Sequence, residues 1–209
     1  MYNIWIPSNR PELAKETKKC FLPYEVNIYD GFGYKSFSKL INHCIINSVN
    51  ETVIIISDKV RGNSKDIDKM LKLLDEGYGM VCLYLFAFFG FKKDLIRKVG
   101  WLDERFIGGG WEDADYVRRM KESNIGFYYE KEIPILKMKT SWDYCDSSGN
   151  SIDLNSPARL HYLNKWNEGV SITRNIKEEI YLYDIGDYQK SIFLDFSKTI
   201  YHKEFIKFF

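Results

Sequence analysis

The sequence predicts an α/β fold in which a mostly parallel central sheet is flanked by helices. Strand and helix patterns alternate through the first 90 residues, which is typical of parallel strands joined by crossover helices. The 209 residues are 45% hydrophobic and 28% charged, an ordinary globular composition for a chain of this length. No internal repeat and no linker rich in Gly, Pro or Ser divides the chain. We therefore expect a single domain.

The first two strand patterns are bounded by turn-forming residues. Residues 3–6 predict an apolar strand, which ends in the loop 7–11. A proline suits the first position of a helix, and this predicts a helix over 11–20. Residues 24–29 alternate between apolar and polar side chains, so they predict a second strand, which an Asp-Gly pair ends.

The next helices begin at serines, and a β-branched run lies between them. Ser36 and Ser64 are the predicted N-caps of helices that reach about residues 48 and 76. Residues 52–56 read Thr-Val-Ile-Ile-Ile, which is typical of a strand buried on both faces at the centre of a sheet.

The second half of the chain is less regular, although an apolar run opens it. The run 80–91 is too short to cross a bilayer as a helix, and its aromatic and aliphatic content favours one buried strand. Helices are predicted over 92–100, 111–122 and 157–166, strands over 127–129 and 133–138, and a polar loop over 146–151.

Polar residues follow three of the predicted strands. Asn9 and Arg10 come after the first strand, Asp30 after the second and Asp58 after the third. The carboxyl ends of parallel strands meet at one edge of the sheet, where ligands of such folds bind. We therefore expect these four residues to converge on one crevice.

The charge balance and the cysteines limit the class of protein. Lys plus Arg is 30 and Asp plus Glu is 29, so a large sequence-independent nucleic-acid surface is not expected. The four cysteines stand far apart and form no zinc pattern with the three histidines. With no signal-peptide pattern at the N-terminus, this favours reduced thiols in a cytoplasmic compartment.

Three carboxylates at a predicted helix start form the most informative segment. Glu112, Asp113 and Asp115 follow a run of three glycines. A helix N-terminus stabilises negative charge, and glycines let a loop approach a ligand closely. Such carboxylates suit a general base acting on a sugar hydroxyl, although acidic residues also commonly cap helices. The residues alone leave both interpretations open.

The surrounding sequence resembles the acceptor-side motif of inverting glycosyltransferases of the GT-A fold, in particular the family-2 and β-1,4-galactosyltransferase groups. Residues 101–106 read Trp-Leu-Asp-Glu-Arg-Phe and match the first half of that motif. Residues 110–116 read Gly-Trp-Glu-Asp-Ala-Asp-Tyr and match the second half, with Arg118 or Arg119 at the arginine position. The loop 7–11 also resembles the family's first loop. Leu163-Asn164-Lys165-Trp166 resembles its late Lys-Trp element.

The resemblance implies transfer of a sugar from a nucleoside diphosphate sugar, with UDP the expected nucleotide, to a glycan or glycoprotein hydroxyl. It implies a Rossmann-like nucleotide-sugar half over 1–90, an acceptor half over 91–170 and a C-terminal extension over 171–209. By resemblance Asp113 is the catalytic base, and Glu112 contacts a sugar. The expected donor-binding residues are Pro7, Asn9, Arg10, Asp30, Ser57, Asp58, Lys59 and Arg61, and the expected acceptor-binding residues are Trp101, Gly109, Gly110, Trp111 and Asp115.

The metal motif departs from the family pattern. Relatives carry Asp-x-Asp after the central strand to hold Mn²⁺ or Mg²⁺, whereas Ser57-Asp58-Lys59 offers one acid. Asp58 could still hold a metal together with phosphates and waters. Alternatively, Lys59 and Arg61 replace the cation. A metal-binding histidine of some relatives has no counterpart, and that stretch contains Lys137, Lys139 and Asp143.

Two further expectations concern the whole chain. The missing second acid motivates an alternative function, a catalytically weak module that binds sugars or nucleotides. The length and the terminus at Phe209 are similar to those of a glycosyltransferase domain at the start of a multidomain protein that glycosylates the capsid of a large DNA virus. Further domains after residue 209 are therefore expected.

Overall fold

The computed structural model describes residues 1–34, 36–84, 86–106, 111–130 and 157–166. The predicted strand 133–138, loop 146–151 and extension 171–209 lie outside the described residues. The strands are β1 (Tyr2–Ser8), β2 (Asn27–Asp30), β3 (Thr52–Ile56), β4 (Met80–Tyr84), β5 (Phe88–Lys92) and β6 (Phe127–Tyr129). The helices are α1 (Pro11–Cys20), α2 (Phe37–Ile46), α3 (Ser64–Asp75), α4 (Asp94–Val99), α5 (Glu112–Glu122) and α6 (Pro157–Lys165).

The six strands form one mixed sheet in the order β2-β1-β3-β5-β4-β6. β1 pairs in parallel with β2 and β3, and β4 pairs in parallel with β6. β5 is antiparallel to both of its neighbours, β3 and β4. Every strand except β5 therefore runs in the same direction. The predicted class, a mostly parallel sheet flanked by helices, is confirmed.

The prediction of one strand over 80–91 is wrong, because this run forms the antiparallel pair β4 and β5. Cys82 lies opposite Phe89, and the chain reverses between the two strands. Both strands are buried, so apolar residues continue through the reversal and hide it in the sequence. A Cβ at Gly90 would lie 2.5 Å from the Sδ atom of Met70, so the glycine leaves α3 room to pack on β5.

Alternate residues of the central strands enter two hydrophobic cores. Ile54 and Ile56 of β3 pack toward α1 and α3, on one face of the sheet. Val53 and Ile55 pack toward α2, α4 and α5, on the other face. This alternation follows from the two-residue period of a strand. It explains why β3 has no polar face.

Two predicted boundaries change at helix and strand starts. Ser36 caps α2 as expected, its Oγ accepting a hydrogen bond of 3.4 Å from the amide of Lys39. The cap of α3 is Asn63 instead of Ser64, and the second strand is β2 instead of residues 24–29. None of the helices in the described ranges has the length and the apolar character that crossing a bilayer requires.

The cap of α3 gives a stability prediction. The Asn63 side chain accepts a hydrogen bond of 2.9 Å from the Lys65 amide, and Asp66 accepts one of 2.7 Å from the Asn63 amide. We expect Asn63→Ala to lower the free energy of unfolding by about 1 kcal/mol, because the Lys65 amide loses its hydrogen-bond acceptor. Ser64→Ala, the control, should change it by less than about 0.5 kcal/mol in urea denaturation. Equal losses in both variants would contradict this assignment.

Candidate active site

The ends of β1, β2 and β3 meet, as the strand-end residues predicted. Ser8 at the end of β1 is in register with Asp30 at the end of β2. Asp58, just after β3, receives hydrogen bonds from two residues of the β1 end. Arg10 donates from Nε to Oδ2 over 2.9 Å and from Nη2 to Oδ1 over 2.5 Å, and the Oγ of Ser8 donates to Oδ2 over 2.5 Å. These contacts join the β1 and β3 loops at the carboxyl edge of the sheet.

Hydrogen bonds from α1 and from Arg61 also hold the backbone of the loop that follows β3. Thr17 of α1 donates from Oγ1 to the Asp58 carbonyl over 2.5 Å. Arg61 donates from Nη1 to the same carbonyl over 2.9 Å, and its Nη2 lies 3.1 Å from a carboxylate oxygen of Glu16. The Arg61 side chain is only 20% exposed. Arg61 thus holds the loop, whereas the Arg10 side chain is 40% exposed and reaches the surface.

The donor set around Asp58 does not suit a divalent cation. Mn²⁺ and Mg²⁺ prefer oxygen ligands, but both oxygens of Asp58 already accept hydrogen bonds and its side chain is 4% exposed. Its sequence neighbours are Ser57 and Lys59, so neither adds a second carboxylate. In the ranges that the structure covers, no three His, Cys, Asp or Glu side chains form a group that could hold a metal.

An aromatic cluster adjoins Asp30 at the edge of the sheet. The hydroxyl of Tyr29 lies 3.3 Å from that of Tyr34 and 3.2 Å from Nδ1 of His43. Burial, with the neighbouring Tyr34, raises the pKa of Tyr29 to about 12, and burial lowers the pKa of His43. Asp30 itself is exposed, and its Oδ1 accepts a hydrogen bond of 2.9 Å from the Phe32 amide. A carboxylate and ring edges therefore stand together beside the β1 loop.

The acidic helix start lies over the same sheet. Tyr116 of α5 contacts Phe86, which follows β4, with ring centroids 6.3 Å apart. Burial raises the pKa of the Cys82 thiol in β4 to about 12, and the negative charge of Asp113 adds to that rise. The side chain of Glu112 is mostly buried, and that of Asp113 is half-buried. The first turn of α5 therefore carries one buried and one half-buried carboxylate.

Trp111 precedes α5 in an unusual backbone conformation. Its φ angle is 68°, in the left-handed region, which costs a residue with a side chain about 1–2 kcal/mol. The indole contacts Tyr162 of α6, with ring centroids 5.2 Å apart. Such strain is typical of segments that a function constrains, because packing elsewhere must hold it.

A buried charge network lies beneath this helix start. Lys165 of α6 forms ion pairs with Asp115 and with Asp103, the latter over 3.1 Å. Asp115 also pairs with Arg119 over 2.9 Å, and His161 lies 3.0 Å from Asp103. Asp115 is 0% exposed and Lys165 is 1% exposed. The network therefore binds α5, α6 and the segment before α5 into one unit.

The network also determines the charge of Asp103. Burial alone would raise the pKa of Asp103, but the Lys165 ammonium, His161 and Arg105 together hold this pKa well below its usual range. Burial lowers the pKa of Lys165, and the two carboxylates oppose that shift. Asp103 is therefore an ionised, structural carboxylate.

The predicted acceptor-binding residues differ in how far they are buried in the structure. Trp101 is 4% exposed in a hydrophobic core, which argues against stacking on a sugar. Asp115 follows the structural alternative that the sequence left open, because its carboxylate is buried and paired. Trp111 is half-buried at the start of α5. Gly109, Gly110, Lys137, Lys139 and Asp143 lie outside the described residues.

The predicted donor residues lie on or next to the strand ends. Pro7 is buried within β1, whereas Asn9 is exposed in the loop that follows. Sequence reasoning missed the roles of Ser8, Thr17 and Asp103, because short polar side chains and single acids give no periodic signal. Lys165 carried a signal, the Lys-Trp element, but its pairing with Asp103 and Asp115 depends on the folded chain.

Comparisons with known proteins give a fold-level likeness. No family model and no curated protein matches the chain. Among solved structures, CMP:2-keto-3-deoxy-manno-octonic acid synthetase in complex with CTP is 8% identical, with a TM-score of 0.41 over 65% of this chain and 76% of that one. A protein of Desulfovibrio desulfuricans G20 assigned as a nucleotide-diphospho-sugar transferase is 15% identical, with a TM-score of 0.41 over 89% and 77%. At these TM-scores, functional inference rests on the site residues.

The charge network predicts a pH-dependent stability difference. We expect Asp103→Asn to lower the free energy of unfolding at pH 7 by about 3 kcal/mol, because Lys165 keeps a buried charge with one partner fewer. The depressed pKa of Asp103 stabilises the fold above its unfolded-state pKa of about 4, and that contribution is lost as the pH falls toward the folded-state pKa. The difference in the free energy of unfolding between the wild-type protein and Asp103→Asn should therefore become smaller only below about pH 4.

Urea denaturation of both proteins at several pH values measures this difference. The control is Asp94→Asn, which removes an exposed carboxylate of α4 that pairs with Lys98 at the surface. It should change the free energy of unfolding by less than about 1 kcal/mol. A loss for Asp103→Asn that is small, or constant down to the lowest pH, would contradict the assigned role of Asp103.

Proposed function

We propose that this chain is an inverting glycosyltransferase that moves a sugar from a nucleoside diphosphate sugar to a hydroxyl of a glycan or glycoprotein. One observation carries the proposal. Arg10 has a partly exposed guanidinium at the β1 end, and the half-buried Asp113 stands at the start of α5, whose Tyr116 packs on Phe86 just after β4. Arg10 suits a diphosphate, and Asp113 suits removal of a hydroxyl proton. The resemblance of residues 101–106 and 111–116 to the acceptor-side motif supports the same function.

The proposed reaction is a single displacement. Asp113 accepts the proton of the acceptor hydroxyl while the hydroxyl oxygen attacks the anomeric carbon. The bond between that carbon and the diphosphate oxygen breaks, and the nucleoside diphosphate leaves with the electron pair. Attack from the opposite side converts an α-linked donor into a β-linkage. Arg10 and Lys59 stabilise the charge that develops on the diphosphate.

The remaining predicted residues receive supporting roles in this proposal. Glu112 contacts a sugar hydroxyl, and Trp111 covers the sugar from the turn before α5. Asp30, with the Tyr29 cluster behind it, approaches the base of the nucleotide. UDP is the nucleotide that the resemblance suggests, so UDP-sugars are the first donors to test. The packing of Trp111 on Tyr162 supports a fixed position for this covering ring.

The central prediction concerns Asp113. We expect Asp113→Asn to slow release of nucleoside diphosphate from the accepted UDP-, GDP- or dTDP-sugar by at least about 100-fold, because the variant cannot accept a proton. The affinity for the nucleotide should change little. The matched control is Glu122→Gln, which alters an exposed carboxylate at the far end of the same helix. It should leave the rate within about twofold of wild type.

Each other outcome has a definite meaning. Unchanged release by Asp113→Asn would remove this residue from the role of base. Binding of nucleotide sugars with no release by the wild-type protein, even after a screen of glycan acceptors, would support the alternative of a binding module. Asp58, the single acid of the metal motif, pairs with Arg10 instead of acting with a second metal-binding acid. This observation favours the alternative.

A further inference from the structure

The carboxylate of Asp58 is occupied by a guanidinium in a forked geometry. Two nitrogens of Arg10 donate to its two oxygens, over 2.9 Å and 2.5 Å. Oδ2 also accepts a hydrogen bond of 2.5 Å from the Oγ hydroxyl of Ser8. Paired N–H donors of this kind form strong, well-oriented contacts with carboxylates. A divalent cation could bind Asp58 only by displacing Arg10. The metal alone would then have to compensate the charge of the buried carboxylate.

The guanidinium of Arg10 differs in its surroundings from that of Arg61, the arginine in the loop after β3. Its side chain is 40% exposed, whereas that of Asp58 is 4% exposed. The guanidinium is thus anchored on its buried side and reachable from the crevice. Arg61 is committed to the Thr17 hydroxyl, the Asp58 carbonyl and the Glu16 carboxylate. The sequence suggested Arg61 as a replacement for the cation, but its hydrogen bonds direct it to the loop backbone.

The loops after β1 and β3 carry residue types that suit an anion. Lys59 follows Asp58 directly in the loop after β3, so this loop carries a lysine next to the residue that holds Arg10. Arginine is the residue best suited to bind phosphate oxygens with two parallel N–H donors, and a lysine adds a point charge. Arg10 and Lys59 thus bring two positive charges to the loops after β1 and β3, in which Asp58 is the single carboxylate up to Arg61.

We infer that Arg10, together with Lys59, binds the diphosphate of a nucleoside diphosphate directly, without a divalent cation. Asp58 is then a positioning residue, which orients the guanidinium instead of ligating a metal. This inference rests on the proposed function for its ligand class, a nucleoside diphosphate or its sugar ester. It differs from the expectation that Asp58 forms a Mn²⁺ or Mg²⁺ site.

The experiment measures binding of UDP, GDP and dTDP to the full chain by titration calorimetry, once in EDTA and once in MnCl₂. We expect the best nucleotide to bind in both buffers, with dissociation constants that agree within about threefold. Arg10→Lys keeps a positive partner for Asp58 but loses the forked contact. It should weaken binding in EDTA by about tenfold, the size of one lost charge-assisted hydrogen bond.

Three further variants, one of them a control, separate the roles of Lys59 and Asp58. Lys59→Met should weaken binding in both buffers, whereas Lys72→Met, an exposed lysine on α3, should not change it. Asp58→Asn should weaken binding equally in EDTA and MnCl₂, because it loosens Arg10. If Asp58 were a metal ligand, Asp58→Asn would remove only the manganese-dependent part of the affinity. A purely structural defect does not produce this difference between the two buffers. Thermal melting of each variant verifies folding.

Three outcomes overturn the inference. Binding that requires MnCl₂ and disappears in EDTA would assign the diphosphate to a metal, while leaving the proposed function intact. Undiminished binding by Arg10→Lys and Lys59→Met would place the diphosphate elsewhere. No binding of any nucleotide in either buffer would reject the proposed function, and the inference with it.

Discussion

The ion pair between Arg10 and Asp58 is the interaction on which the candidate site depends. Asp58 follows the buried strand β3, and burial of a carboxylate that is 4% exposed costs free energy unless a close partner offsets it. The partner comes from the end of β1, so the pair joins the two central parallel strands where their carboxyl ends meet. Its consequence for function is that a guanidinium is held at the edge of the sheet before any ligand binds, which reduces the cost of ordering it.

The second half of the site depends on a different charge arrangement. Lys165 lies between two buried carboxylates, Asp103 and Asp115, and thereby connects α6 to the segment before α5 and to α5 itself. Asp115 occupies the first turn of α5 together with Asp113. The network therefore fixes the direction of the turn that carries the proposed base. A rigid support of this kind is what a proton-accepting carboxylate needs, since small displacements of a catalytic group lower its effectiveness greatly.

Sequence periodicity predicted most of the fold, because buried strands and amphipathic helices leave regular patterns. It failed at the reversal between β4 and β5, where both strands are apolar throughout and no turn signal interrupts them. The strand-end rule also predicted that Arg10, Asp30 and Asp58 would meet. It could not predict which cation would face the crevice, because the commitment of Arg61 to Thr17 and Glu16 arises from packing of α1 against the loop. The sequence likewise predicted a sugar contact for Trp101, because the packing that buries this side chain is not visible in the sequence.

The central claim is that a guanidinium, and not a metal ion, meets the diphosphate at the ends of β1 and β3. A crystal structure of the protein grown with UDP and MnCl₂, with data collected at the manganese absorption edge, tests it most directly. The account predicts diphosphate oxygens within hydrogen-bonding distance of the Arg10 guanidinium, the ion pair with Asp58 intact, and no anomalous peak between them. A manganese peak bridging Asp58 and the diphosphate, with Arg10 displaced, would contradict it.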